Sequence, residues 1–233
     1  MNCKLPLLLP LFLLVPGLRA EFSFKVYTWP LQGLVSESSD IARLPELYYL
    51  DKQDQPRRLR IARGSVTRSH RYDGPSPLRL VIKEEQASGE DRFRAFARVP
   101  IQTQTENTLL IYNPDQPLGN GQPNVAAMNV DPRKVPDGKA TLYNSSRRTV
   151  LLQVDGRNVQ LQPGKGLIQA PGSEGEAFSR MRVRVAATKE GQEAKIMFSG
   201  SIRIFKEEPN LFLIQEYGDR YQVRSLRGLT RDS

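Results

Sequence analysis

This sequence predicts an all-β fold, an antiparallel β-sandwich of the immunoglobulin-like or Greek-key type, built as one large sandwich or two in tandem. Three observations predict it. Apolar and polar residues alternate with a period of two through several segments. Turn residues separate these segments at intervals of about 8–12 residues, as in a sandwich. Little of the chain reads as helix. A period of two leaves one face of each strand wet, which suits an antiparallel sheet and not a parallel α/β core.

The chain opens with a segment of another kind. Residues 1–4 make a short basic start, 5–15 is an almost unbroken apolar run (LPLLLPLFLLV), and Pro16, Gly17, Leu18, Arg19 and Ala20 end it on a small residue. A basic start, an apolar run of about 7–15 residues and a small residue at the cut make a secretory signal peptide. The run is shorter than the roughly 20 residues that cross a bilayer, and two prolines interrupt it. Residues 1–20 are therefore expected to be removed after Ala20, leaving 213 of the 233 residues, 21–233, with no integral membrane segment.

FSFKVYTW at 22–29 alternates until Pro30 closes it, and further strands are expected at 46–50, 58–61, 65–72 and 78–84. DRFRAFARV at 91–99 sets Phe93, Ala95, Ala97 and Val99 on one face and Arg94 and Arg98 on the other, with Phe96 between them. Strands follow at 108–112, 125–130, 140–144, 149–154 and 159–161. In RMRVRV at 180–185, Arg180, Arg182 and Arg184 face one way and Met181, Val183 and Val185 the other. The set closes with 194–198, 202–205, 211–216 and 221–226. Asp73-Gly74-Pro75, Ser88-Gly89, Asp155-Gly156, Pro163-Gly164 and Gly218-Asp219 supply turn chemistry between them. Two short helices are admissible: 41–44, capped by Ser39 and Asp40 and stopped by Pro45, and 174–180 after Gly172 and Ser173.

The stretch 113–124 (NPDQPLGNGQPN) has three prolines, two glycines and a single apolar residue, Leu118. It reads as a linker between two sandwich domains, 21–116 and 125–233, or as a long surface loop within one. No internal sequence repeat is evident, and the tail from Gly228 is expected to fray.

A hydrophobic content of 39% with dispersed charge argues for a folded chain. Without the leader, 32 basic residues stand against 25 acidic ones, and arginine outnumbers lysine 23 to 9. The guanidinium grips carboxylates and phosphates through a bidentate fork, so this bias suits acidic partners, and equally a basic, soluble surface. The one cysteine, Cys3, lies in the leader, so the mature chain is cysteine-free. It precedes the apolar run, where a lipoprotein cysteine would follow it. An exported domain of this size without disulfides points to a bacterial source and to the periplasm or the cell exterior.

Several chemistries are excluded or disfavoured. With His70 the only histidine and no mature cysteine, a zinc site of histidine and cysteine ligands and a cysteine nucleophile are impossible. There is no nucleophile elbow for a triad through His70, which reads as an ordinary strand position. No calcium loop or phosphate loop is present. Glu84 with Glu85, Glu90 with Asp91, Glu174 with Glu176 and Glu207 with Glu208 are pairs that glycoside hydrolysis needs, but all sit in hydrophilic turns, where acids are ordinarily solvated. No cofactor is expected, and no enzyme activity.

Binding is the better prospect. Arg57, Arg58, Arg60 and Arg63 crowd one segment, and Arg180, Arg182 and Arg184 stripe another. If Arg57, Arg58, Arg60, Arg180, Arg182 and Arg184 converged, they would form a groove for a sulfated, uronic or phosphorylated polymer. Apart from one another, they are charged outer faces that discourage edge-to-edge aggregation. Nucleic acid is not expected, since export removes it and no aromatic-interleaved motif is present. Tyr27, Trp29, Tyr48, Tyr49 and Tyr72 are candidates for stacking on sugar rings, or core aromatics. Asn144-Ser145-Ser146 matches a glycosylation acceptor, which has no meaning in a bacterial protein.

Ser69-x-x-Tyr72-x-Gly74-Pro75-x-Pro77-Leu78, Val99-Pro100 and Leu109-Leu110-Ile111-Tyr112 resemble secreted bacterial proteins of uncharacterised activity. Val135-Pro136-x-Gly138, Leu142-Tyr143-Asn144-Ser145-Ser146 and Leu161-x-Pro163-Gly164 continue the likeness, which covers about residues 65–165. The Asn-Ser-Ser strand end and the Leu-x-Pro-Gly turn are also similar to immunoglobulin-like modules. The resemblance implies a secreted β-sandwich and carries no site with it. The expectation is a non-catalytic interaction or structural module of the cell envelope. Its partner would be an envelope protein or an anionic polysaccharide held on arginine-rich strand faces.

Overall fold

The computed structural model describes residues 22–30, 44–85, 91–101, 106–115, 117–118, 120–172, 177–187, 194–217, 220–227 and 229. The expected leader, 1–20, and the helix expected at 41–44, save Leu44, lie outside them. Among the described residues there is no helix; sixteen strands make four four-stranded sheets. In chain order they are β1 (Phe22–Thr28), β2 (Leu47–Leu50), β3 (Pro56–Leu59), β4 (His70–Tyr72), β5 (Leu78–Glu85), β6 (Asp91–Val99), β7 (Asn107–Asn113) and β8 (Asn124–Asn129). Then come β9 (Ala140–Asn144), β10 (Val150–Val154), β11 (Arg157–Leu161), β12 (Gly166–Gln169), β13 (Phe178–Ala187), β14 (Lys195–Phe205), β15 (Asn210–Tyr217) and β16 (Arg220–Leu226). The fold class is all-β, as the alternation predicts.

The sheet orders reveal a repeat that the sequence hides. Strands β4-β1-β7-β8 form one sheet and β3-β2-β5-β6 another; β12-β9-β15-β16 and β11-β10-β13-β14 form the other two. Adding eight to every label of the first pair gives the second. Even the unusual element repeats: β1 runs parallel to β7, and β9 parallel to β15, whereas the other pairings are antiparallel. Connectivity is conserved between the halves while the side chains are not, which is why no repeat shows in the letters.

Two places are open to the stretch 113–124, a linker between two domains and a loop within one, and the strand pairing around it fits the loop. Asn113 and Asn124 stand opposite each other in an antiparallel pairing, so the segment connects two strands of one sheet. Strand β8, expected to open a second domain, hydrogen-bonds to β7 instead. The connectivity starts over only after β8, across 130–139. Gly138 lies there at φ 70°, and a β-carbon on it would stand 2.9 Å from the Lys206 carbonyl oxygen, so only glycine lets the chain pass this close.

Three apolar clusters explain which residues face where. Phe24, Val26, Leu110 and Tyr112 of one sheet meet Leu47, Leu80 and Val99 of the next. Leu142, Phe212 and Ile214 meet Leu152, Met181 and Val183 in the second half of the chain. A third cluster joins the inner sheets: Tyr27, Leu109, Ile111 and Met128 against Tyr143, Leu211, Leu213 and Leu226, with Trp29 beside them. Strand β7 therefore sends Leu109 and Ile111 one way and Leu110 and Tyr112 the other, and is buried on both faces. Strand β15 divides Leu211 and Leu213 from Phe212 and Ile214 in the same manner. Continuous apolar runs such as TLLIY and LFLI are what two-sided burial requires. The outer strands keep the alternation of one-sided burial.

Other expectations shift locally. The short helix at 174–180 gives way at its end to β13, which begins at Phe178 because the inward-outward alternation already starts there. The strands expected at 194–198 and 202–205 are one, β14, running through Gly200. The brief β12 was not foreseen.

Candidate anion-binding face

The arginines divide between two outer sheets, one in each half of the chain. Arg57 and Arg58 lie on β3 and Arg60 just after it; Arg180, Arg182 and Arg184 lie on β13. Two of the first group, Arg57 and Arg58, are committed to local ion pairs. Arg57 Nε donates to Asp51 Oδ2 at 2.9 Å, and Arg58 pairs with Glu46 at 2.5 Å. Burial pushes the Asp51 pKa up, but hydrogen bonds from the Gln55 amide, the Arg57 guanidinium and the Gln53 amide outweigh it and hold the carboxyl below its ordinary value. Arg63 grips Asp115 through two bonds of 2.9 and 3.0 Å, tying the loop after β7 to the chain beside β1. Arg79 pairs with Asp54, and Arg94 with Glu84 at 2.5 Å. Acids thus pair with Arg57, Arg58, Arg79 and Arg94 on this outer sheet, while Arg60, Arg92 and Arg98 have no ion pair with a described carboxylate.

The other outer sheet differs. Strand β13 alternates strictly, with Met181, Val183 and Val185 buried and Arg180, Arg182 and Arg184 exposed. Residues two apart on a strand are separated by about 6.8 Å, so the three arginines form a row about 14 Å long. Across the strand pair, Arg180 faces Arg203, Arg182 faces Ser201 and Arg184 faces Ser199. Arg203 thus joins the row as a fourth cation. The Arg180 and Arg203 guanidiniums lie 6.0 and 5.3 Å from the Phe178 ring centroid, and this shared ring face favours holding two like charges side by side. Gln153 and Asn158 continue the face on β10 and β11, and Arg184 Nη1 donates to Gln153 Oε1 at 3.2 Å. The outward positions of these four strands carry no acid among the described residues. A carboxylate stands beside the row in the β10–β11 turn, where Asp155 Oδ1 accepts the Arg182 backbone N–H at 2.9 Å.

The remaining candidates serve the fold. Tyr27, Trp29 and Tyr72 are buried, and Tyr49 packs on Phe24 and His70, so these rings offer no platform for a sugar. Tyr48 is half-buried with its ring on Phe93 and its hydroxyl donating to Glu46. His70 stacks on Phe24, and burial together with the Arg68 charge lowers its pKa. Asn144 is fully buried: its amide donates to the Arg148 and Leu161 carbonyls at 2.8 Å each and its oxygen accepts from Ser146. It organises the turn after β9 and offers nothing to a glycan. Glu84 and Asp91 are ion-paired with Arg94 and Lys83, and Glu207 and Glu208 lie exposed in a turn. The side chains of Glu85, Glu90, Glu174 and Glu176 lie outside the described residues. No cluster of three metal-ligating side chains occurs among the described residues.

Sequence reasoning missed Arg203. Its signal was present in SIRIF at 201–205, but only the strand register sets it opposite Arg180. No family model and no curated protein matches the chain.

Proposed function

We propose that this protein is an exported, non-catalytic binding module of the cell envelope that holds an anionic polysaccharide on the β10-β11-β13-β14 face. The observation that carries the reading is the row of Arg180, Arg182, Arg184 and Arg203 on a face without acidic side chains among the described residues. In the topologically equivalent sheet acids are interspersed among the arginines: Glu84 pairs with Arg94 and Asp54 with Arg79. A one-sign face concentrates polyanions, and guanidiniums grip carboxylate or phosphate groups by paired hydrogen bonds. Neutral Gln153, Asn158, Ser199 and Ser201 beside the row suit the hydroxyls of a sugar chain.

The test is binding of polygalacturonate to the purified protein over a salt series. Affinity should fall steeply as salt rises from about 50 to 500 mM, since exposed charges are screened over about 14 to 4 Å in that range. Replacing Arg180, Arg182, Arg184 and Arg203 by serine should abolish binding without changing the far-ultraviolet spectrum. Equal binding by that variant, or by the wild type at high salt, would remove the polymer reading in favour of a protein partner.

A further inference from the structure

Beside the middle cluster, between the inner sheets, lies a cavity of about 490 Å³. Two edge strands border it. Strand β8 contributes Ala127, Met128 and Asn129; β12 and the turn before it contribute Gly164, Lys165, Gly166 and Ile168. Successive residues of a strand point to opposite faces, so a cavity lined by three in a row meets β8 along its edge. Strand β8 pairs with β7 alone and β12 with β9 alone, so each has an edge without a ladder partner in its own sheet. Such an edge is a template for a further strand.

The chemistry of the walls is one-sided. Lys134 and Lys165 both line the cavity, no acidic side chain does, and neither lysine is ion-paired with a described carboxylate. Tyr143 is buried, 7 % exposed, yet its hydroxyl makes no hydrogen bond to a described group. That hydroxyl lies beside Gly164, where a β-carbon would come within 3.8 Å of it. Ile101, Met128 and Ile168 supply apolar wall, and Ile168 is 41 % exposed. Cations, a hydroxyl donor, apolar wall and a strand edge together describe one class of occupant.

We propose that this cavity docks an extended peptide segment of a partner protein, which adds as a strand along the β8 edge and sets a carboxylate against Lys134 and Lys165. The backbone edge supplies the ladder, Ile168 and Met128 receive an apolar side chain, and the two ammonium groups fix the register. The site is formed by the inner sheets and stands apart from the β13 arginine row, so it holds whether or not that row takes a polymer.

The experiment uses a fluorescent hexapeptide of alternating valine and threonine ending in a free aspartate, with its amidated asparagine counterpart as the neutral probe. Polarisation should show binding of the acidic peptide and about tenfold weaker binding of the neutral one, the loss expected when charge-assisted hydrogen bonds are removed. The Lys134→Gln, Lys165→Gln variant changes two exposed side chains and should lose about tenfold for the acidic peptide only. Amide hydrogen exchange should slow across 124–129 on binding. No binding at about millimolar peptide, a level that detects weak contacts of about 4 kcal/mol, would overturn the proposal. So would equal affinity of the lysine variant, or protection confined to β13 and β14, which would transfer the peptide to the arginine face.

Discussion

The contact between the inner sheets can be tested through Leu213→Ala. Leu213 is 0 % exposed on β15 and lies in the middle cluster with Tyr27, Leu109, Tyr143 and Trp29. Truncation to alanine deletes three carbons from a site walled by bulky rings that collapse poorly. Buried leucine truncations cost about 2–5 kcal/mol, more where the cavity persists, so about 3–4 kcal/mol is expected here. That is a shift of roughly a hundredfold to several hundredfold in the folding equilibrium. Ile111→Val, in the same cluster on β7, removes one carbon and should cost about 0.5–1.5 kcal/mol.

Trp29 makes the assay specific. It is the only tryptophan of the chain and is 5 % exposed inside this cluster. Its emission reports the middle layer, while far-ultraviolet dichroism reports all four sheets. Urea titrations followed by both probes should move to lower urea in Leu213→Ala, by several times the shift in Ile111→Val. A Leu213→Ala cost below about 1 kcal/mol, where surface substitutions fall, would refute the packing of the inner sheets. Emission from native Trp29 at a solvent-exposed wavelength would refute it too.

Two further outcomes follow from single side chains. Asn144→Ala removes four hydrogen bonds, to the Arg148 and Leu161 carbonyls and from the Ser146 amide and hydroxyl, while Ser146 Oγ still reaches the Arg148 carbonyl at 3.0 Å. At about 1 kcal/mol per lost bond it should cost about 2–4 kcal/mol in a urea titration. His70 has a folded-state pKa below the ordinary value of about 6.5, so below that pH the unfolded chain binds the proton more readily. Its stabilisation is complete above the unfolded pKa and is lost as pH falls towards the folded one. Urea midpoints should therefore decline as pH drops from about 7.5 to 5.5, and His70→Phe, which keeps a ring against Phe24, should flatten that slope.

What the letters revealed depended on how many faces a strand buries. RMRVRV showed its wet face because β13 is covered on one side only, and the alternation placed Arg180, Arg182 and Arg184 correctly. TLLIY and LFLI lack that alternation because β7 and β15 are covered on both sides. Read for period alone they are merely strands; read for their continuity they announce inner sheets. The stretch 113–124 resembled a linker because hairpin loops and linkers draw on the same prolines and glycines, and only the Asn113–Asn124 pairing distinguishes them. Arg203 and the repeated connectivity depend on register, which no local pattern encodes.

Two-sided burial also explains where the charge went. The inner sheets must be apolar on both faces, so dense charge has only edges, turns and the outer faces of the outer sheets to occupy. The equivalent strands β5–β6 and β13–β14 met that constraint differently. On the first pair three cations have an acid at hand: Arg79 with Asp54, Lys83 with Asp91, Arg94 with Glu84. On the second, four arginines share a face with serine and glutamine. Stability alone favours the first solution, because opposite charges on neighbouring strands attract and like charges repel. Arg180 directly across from Arg203 works against the sheet by that measure, as Arg79 across from Arg98 does on the first pair, where Asp54 answers Arg79. Phe178 under both guanidiniums offsets part of the repulsion, and an anion laid along the row would remove the rest. With no acid on its own face among the described residues, the second arrangement is the costlier of the two, which is the pattern expected of the proposed polymer-binding surface.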